Sequence, residues 1–272
     1  MTKTSLNANK PAIAVLLAAH NAETTLQQAV DSVLNSEIPV DLFVIDDGSR
    51  KPVEDYLTPH KHLHIVRLPR NLGLIGALNI GLDHILPQGY AYVARMDSDD
   101  ICRPQRFQRQ LRYMEDHQDI AVVGSWADFV DEHTLQPVFT YKSAVTPAKA
   151  RNSLRFNSCM PHPCFFMRAE VLRQGPGVRY SPKYLAAEDY ELLMRLSQTH
   201  NLASLPEVLI DCRLCANGIS LQKRQRQLLT RLKVQLVYFQ PFNWRSYAGV
   251  VKTLILWAMP VKLIRTLKKI LR

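Results

Sequence analysis

The sequence predicts an α/β fold built on a mainly parallel sheet with helices on both faces. Three observations predict it. Apolar runs of strand length recur without polar alternation, as strands buried on both faces require. Helix-period segments separate them, so consecutive strands are joined by crossovers rather than hairpins. Three of the runs stop abruptly in polar clusters, and in such sheets ligands bind beyond the carboxyl ends of the strands.

The elements follow in order. AIAVLLAA (12–19) is the first strand and ends in His20-Asn21. AETTLQQAVDSVLNS follows as a helix, because Leu26, Val30, Val33 and Leu34 fall at i, i+4, i+7 and i+8, on one face. VDLFVI (40–45) is a second strand that stops at DDGS, and HIVRL (64–68) is a third. LIGALNIGLDHIL (74–86) is helical, and YAYVARM (90–96) is a fourth strand that stops at DSDD. Pro104 suits the first turn of the next helix, RPQRFQRQLRYMEDH, and IAVVGSW makes a fifth strand. The second half is less regular. PHPCFFMRAEVL reads as a short strand entering a helix. AEDYELLMRLSQTH reads as a helix with Leu192, Leu193 and Leu196 on its apolar side and acids in its first turn, as the helix dipole favours.

Charge and cysteine usage narrow the function classes. Of the 34 Lys and Arg residues, 13 lie in residues 212–272, where there is no Asp or Glu. A near-neutral body therefore carries a cationic tail, which points to an anionic partner, nucleic acid or membrane lipid. The five cysteines are scattered and odd in number, which excludes a disulfide framework and suits a reducing cytoplasm. The polar start MTKTSLNANKP lacks the apolar segment of a secretory signal.

DSDD carries the strongest chemical signal. Asp97, Asp99 and Asp100 repel one another, and each opposes ionisation of the others. A hard cation such as Mn²⁺ or Mg²⁺ prefers such oxygen ligands and brings a substrate phosphate with it. The plain alternative is a solvated acidic turn in which Asp99 or Asp100 caps the next helix. Asp46 and Asp47 can accept hydrogen bonds from a base or ribose, or simply build an Asp-Gly turn. His20-Asn21 can touch a base or cap a helix. Glu188 and Asp189 supply a candidate general base or a stabilised helix terminus. Cys212-x-x-Cys215 with Cys159, His162 and Cys164 lacks the spacing of a zinc ribbon and favours core cysteines.

The order and spacing of these segments are more specific than any one of them. Over about residues 11–215 the chain resembles glycosyltransferase family 2, the inverting nucleotide-sugar transferases of GT-A fold. The resemblance rests on AIAVLLAAHNAETTLQQAVDSVLNS, VDLFVIDDGS, RNLGLIGALNIGL, YAYVARMDSDDICRPQRF, HPCFFMRAEVL and AEDYELLMRL. It implies a Rossmann-like nucleotide-binding domain with a mainly parallel, mixed sheet flanked by helices. It implies a metal-dependent hexosyltransferase that moves a hexose or N-acetylhexosamine from a UDP-sugar to a glycan or lipid-linked acceptor. The pathway implied is bacterial surface polysaccharide synthesis, whether lipopolysaccharide, O-antigen or capsule.

The resemblance also implies roles. Asp47, with Asp46 beside it, binds uracil, and Ala18, His20, Asn21 and Glu23 line the base pocket. Asp97 and Asp99 hold Mn²⁺ or Mg²⁺, and Asp97 and Ser98 lie against the nucleotide. Asp189 is the general base, and Glu188, His162 and Arg168 fall on the acceptor side. Three departures stand out. His20 replaces a stacking Tyr. Leu78 replaces an Arg, which leaves Arg70 as the nearby cation. Cys215 stands where many members carry a His. A non-catalytic sugar- or nucleic-acid-binding module on the same scaffold is the alternative, but Asp97, Asp99 and Asp189 are all present, which favours the enzyme. The tail lacks the repeated aromatics of a base-stacking platform, so no nucleic acid is expected.

Residues 216–272 form a basic, helical extension. Within 250–272 the apolar run between Lys252 and Lys262 has only nine residues, against about 20 for a bilayer span. Beyond Pro260, Lys262, Arg265, Lys269 and Arg272 share one face, and Leu263, Ile264, Leu267, Ile270 and Leu271 share the other. That pattern predicts a helix in the interface of an anionic membrane, with Trp257 at headgroup depth. The protein is then peripheral, on the inner face of the cell membrane. A helix packed on the catalytic domain is the alternative.

Overall fold

The computed structural model describes residues 11–174, 178–214 and 224–259. Its central strand, β1 (Ile13–Ala19), lies between β2 (Asp41–Asp46) and β4 (Tyr92–Asp97), both parallel to it. β3 (Leu63–Arg67) extends the parallel set beyond β2. Alternate residues of β1 enter two different cores. Ala14 and Leu16 pack beneath α2 (Gly73–Ile85), while Ile13, Val15 and Leu17 pack with α1 (Leu26–Leu34) and α3 (Arg106–Asp116). Both faces are covered, which is why the strand shows no polar alternation.

The second half completes the sheet in a less regular manner. Next to β4 comes the short antiparallel β8 (Phe166–Arg168), then β6 (Ile120–Asp131), β9 (Asn201–Leu214) and the two-residue β5 (Ile101–Cys102). β9 runs parallel to β6, and β7 (Pro137–Tyr141) adds antiparallel to β6. The fifth expected strand therefore continues five residues further, to Asp131. β9, 14 residues long, has no counterpart in the sequence reading. The reason is Pro206-Glu207, which interrupts its apolar pattern. The pairing steps from Ser125↔Leu205 to Trp126↔Val208, so the bulge carries the proline, which has no ladder donor.

Helices α4 (Pro147–Leu154), α5 (Ala169–Arg173) and α6 (Glu188–Leu196) cover the second half. Two more helices, α7 (Arg224–Val237) and α8 (Trp244–Ala258), pack against that cover. Thr230 Oγ1 donates to the Leu185 carbonyl at 3.0 Å, and Gln235 Nε2 donates to the Arg155 carbonyl at 3.1 Å. Tyr238 Oη donates to Glu191 Oε1 at 3.0 Å. α8 turns its small residues inward: Ser246, Gly249 and Thr253 are its buried positions. A Cβ on Gly249 would lie 1.9 Å from the Arg155 carbonyl oxygen, so only glycine permits this approach. This helix starts ahead of the apolar run noted in the sequence, at Trp244, and ends at Ala258. Met259 is extended, the conformation that a following proline favours. The amphipathic stretch beyond Pro260 lies outside the described residues. Among those described, no helix is long and apolar enough to cross a membrane.

Candidate active site

Strand register assembles the first part of the site. Ala18 pairs with Ile45 on one side and with Asp97 on the other, and Ala19 pairs with Asp46. The polar ends of β1, β2 and β4 are therefore neighbours at one edge of the sheet. Beyond β1 the chain turns through Asn21, at φ 50°, a left-handed conformation that asparagine tolerates. His20 Nδ1 donates to the Asp47 carbonyl at 2.9 Å, which leaves Nε2 to accept from Asn21 Nδ2 at 2.9 Å. The Asn21 amide donates to Ser49 Oγ, and its side-chain oxygen accepts from the Arg50 amide. His20 and Asn21 thus fix the DDGS turn to the end of β1.

The two acids of that turn have different tasks. Asp46 is fully buried, and its oxygens accept from the Ser49 amide at 2.8 Å and from Arg67 Nη1 at 2.8 Å. Its carboxylate is committed to the turn rather than presented to a base. Asp47 Oδ1 accepts from the Leu72 amide at 2.7 Å, which draws the 70–72 loop over the turn. Gly48 makes this possible: its φ is +65°, and a Cβ there would come within 2.5 Å of the Arg70 carbonyl carbon. Arg70 and Glu23 are exposed at the rim of this region.

Asp97, Asp99 and Asp100 each place an oxygen within 4.8 Å of the others. Asp99 is pushed up to about 6 by burial and by the Asp97 charge. Asp100 is raised well above the usual carboxylate range by burial and by Asp97 and Asp99. Asp100 Oδ1 accepts from the Arg213 amide at 3.0 Å, so the end of β9 holds the third acid in place. Ser98 contributes its carbonyl, which accepts from Thr25 Oγ1 at 2.9 Å and ties the loop to the start of α1. Three convergent hard oxygen donors, two of them with ionisation opposed by burial and by neighbouring carboxylates, fit a divalent cation such as Mn²⁺ or Mg²⁺.

A buried arginine connects this cluster to the start of α6. Arg95, on β4, is 1% exposed and forms an ion pair with Asp97. Its charge also acts on His162, Tyr180, Glu188 and Asp189. His162 Nε2 and the Tyr180 hydroxyl share a hydrogen bond at 2.8 Å. Burial and the Arg95 charge hold the His162 pKa well below the usual value, so its ring is neutral. Glu188 is pushed up to about 7 by burial and by Asp189, and its Oε2 has no hydrogen-bond partner among the described residues. Asp189 is raised as well, by burial. It lies on the wall of a cavity of about 170 Å³ together with Tyr141, Asn157, Tyr190, Gln227 and Arg231.

The fold therefore brings together Ala18, His20, Asn21, Asp47, Asp97, Ser98 and Asp99, and the charge of the buried Arg95, paired with Asp97, is also felt by Glu188, Asp189 and His162. It does not bring Arg168 there. Arg168 pairs with Tyr92, at the start of β4 and five residues before Asp97. Its guanidinium donates to the carbonyls of Ile120, Met114 and His117, closing the end of α3 onto β6. The expectation of an acceptor-side role for Arg168 is corrected on that ground. Leu78, where an Arg was expected, lies on the buried face of α2 and packs into the core. Cys102, Cys159, Cys164 and Cys212 are buried free thiols, and no mixed cysteine–histidine cluster with metal-ligand geometry exists among the described residues. Arg95, Tyr180 and Arg231 escaped the sequence reading because their patterns are ordinary. Only the arginine inside the apolar strand YVARM was a usable signal.

The family model of Glycosyl transferase family 2 matches residues 14–175. The amylovoran biosynthesis glycosyltransferase AmsE of Erwinia amylovora is 31% identical over 230 residues, covering 82% of this chain and 83% of that protein. The UDP-Gal:alpha-D-GlcNAc-diphosphoundecaprenol beta-1,3-galactosyltransferase of Escherichia coli is 28% identical over 258 residues, covering 90% and 89%. Among solved structures, the mannosyltransferase PcManGT of Pyrobaculum calidifontis, in complex with GDP-Man and Mn²⁺, superposes with a TM-score of 0.60. The identity is 14%, over 96% of this chain and 80% of that one.

Proposed function

We propose a donor, an acceptor class and a mechanism for this chain, which belongs to glycosyl transferase family 2. It moves a hexose or N-acetylhexosamine from a UDP-sugar to a glycan or lipid-linked acceptor, with inversion at the anomeric carbon. The process it serves is bacterial surface polysaccharide synthesis. A relative that is named for UDP-Gal and for a diphosphoundecaprenol acceptor, similar over 90% of the chain, supports that donor and that acceptor class. One observation carries the reading. The register of Ala18 with Ile45 and with Asp97 sets the turn of Asp47 beside the acid cluster, where Asp97, Asp99 and Asp100 converge.

Each residue then has a task. Asp47 and the DDGS turn receive uracil, with Ala18, His20, Asn21 and Glu23 around the base and Arg70 as the cation at the rim. Asp97 and Ser98 lie against the ribose and diphosphate. Asp99 and Asp97, with Asp100 beside them, would hold Mn²⁺ or Mg²⁺, which when bound would supply the positive charge that a departing diphosphate requires. Asp189 takes the proton of the acceptor hydroxyl. Its raised pKa brings it nearer the working pH and makes it a stronger base than an exposed aspartate. Glu188 keeps a proton below about pH 7, so the pair carries one negative charge rather than two. Attack from the Asp189 side, opposite the leaving diphosphate, inverts the anomeric carbon. A lipid-linked acceptor places the protein on the inner face of the cell membrane, as a peripheral protein.

The test is turnover of UDP-sugars by purified protein with Mn²⁺ present, compared with Asp99→Asn. The wild type releases UDP slowly without acceptor, and the variant loses both turnover and metal-dependent UDP binding. Unchanged metal dependence of UDP binding in the variant would remove Asp99 from the metal site.

A further inference from the structure

The outer face of α8 inverts the usual pattern of a surface helix. A helix on a globular domain turns its apolar stripe to the core and its polar face to water. Here the buried positions are the small or polar Ser246, Gly249 and Thr253. The outward stripe is apolar: Trp244, Tyr247, Val251, Leu254 and Ile255 fall at i, i+3, i+7, i+10 and i+11. Their exposures lie between 43% and 65%. Phe242, just before the helix, is fully exposed and continues the stripe. Tyr247 makes local contacts, donating its hydroxyl to the Pro241 carbonyl and packing edge-on against Phe239, while Val251, Leu254 and Ile255 turn much of their apolar surface to solvent. A contiguous aromatic and aliphatic surface of this kind marks an interaction site.

We infer that this face, Phe242 to Ile255, is the membrane-docking surface, and that its occupant is a bilayer containing anionic lipid. Charge selects that occupant. Residues 212–272 carry 13 Lys and Arg and no acid. Arg245 lies over the Trp244 ring at 4.9 Å, at the aromatic end of the stripe. An apolar stripe with aromatics at one end and basic residues beside it suits the interface of an anionic leaflet, where rings sit at headgroup level. A protein partner would require no such one-sided charge.

The placement also has a consequence for the reaction, and here the inference rests on the proposed lipid-linked acceptor. α7 packs against α8 and supplies Gln227 and Arg231 to the cavity that holds Asp189. The two helices therefore stand between the bilayer and the base. An acceptor whose lipid stays in the membrane reaches Asp189 along the side of the domain that these helices form. Docking and acceptor delivery belong to one structural unit.

Co-sedimentation of the full chain with vesicles tests the docking. The wild type is expected to bind vesicles of equal parts phosphatidylcholine and phosphatidylglycerol, and to bind pure phosphatidylcholine at least tenfold more weakly. The triple variant Val251→Gln, Leu254→Gln, Ile255→Gln leaves the charge unchanged and replaces exposed side chains with a good helix former. It is expected to bind the anionic vesicles at least tenfold more weakly. Its melting temperature and its Mn²⁺-dependent hydrolysis of UDP-sugar should stay at wild-type values, so loss of docking is separated from loss of fold or of the transferase site. Wild-type vesicle binding by the triple variant overturns the inference. So does a wild-type dimer that the same substitutions dissociate, since a second copy then covers the stripe.

Discussion

Replacing Glu188 by Gln should change how stability depends on pH. Glu188 is buried at the first turn of α6, Asp189 is its neighbour, and its Oε2 lacks a partner among the described residues. Burial and the Asp189 charge raise its pKa from 4.5 to about 7 in the folded protein. In the window between those values the folded state binds the proton and the unfolded state has released it, so stability falls as pH rises. The contribution is fully present below about pH 4.5 and lost by the time pH passes 7. At about 1.4 kcal/mol per unit, the loss across the window is of order 3 kcal/mol. Gln reproduces the shape of the protonated acid and cannot ionise. Glu188→Gln should therefore match the wild type near pH 4.5 and exceed it by up to that amount above pH 7. Urea midpoints measured across this range in metal-free buffer, with m-values compared, provide the assay. The same pH slope in variant and wild type would refute the reasoning, because it would mean that Glu188 ionises as freely folded as unfolded.

Two further substitutions test other parts of the argument. Asp189→Asn should lower sugar transfer by about 10²-fold or more, the scale of a lost general base, while UDP-sugar affinity in titration calorimetry is retained; near-normal transfer would move the role to Glu188. Gly249→Ala pits a gain in helix propensity of about 1 kcal/mol against a Cβ placed 1.9 Å from the Arg155 carbonyl oxygen. The clash should win by about 1–2 kcal/mol, read as a fall in melting temperature of several degrees, and an unchanged or higher value would show that α8 does not dock as described.

The sequence by itself determined the parallel half of the fold. Strands buried on both faces must be continuously apolar, and each of β1, β2 and β4 stops at a polar cluster, so 12–19, 40–45 and 90–96 could be read together with His20, Asp47, Asp97 and Asp99 at their ends. Those signals are local, and a local signal survives in a string of letters. Tertiary structure alone decided the rest, because the rest depends on contacts between distant segments. Asp46 and Asp47 are adjacent acids in one turn, and only the approach of Arg67 to one and of the Leu72 amide to the other separates their roles. Arg168 sits in a segment that fits the family, yet antiparallel pairing of β8 carries it to the start of β4 rather than to its end. β9 is hidden by Pro206-Glu207 and becomes a strand because a bulge against β6 absorbs the proline. The tail showed a basic amphipathic pattern at its end. Packing of Ser246, Gly249 and Thr253 against the domain is what turns Trp244, Val251 and Ile255 outward, and that choice of face is fixed by the neighbour, not by the helix itself.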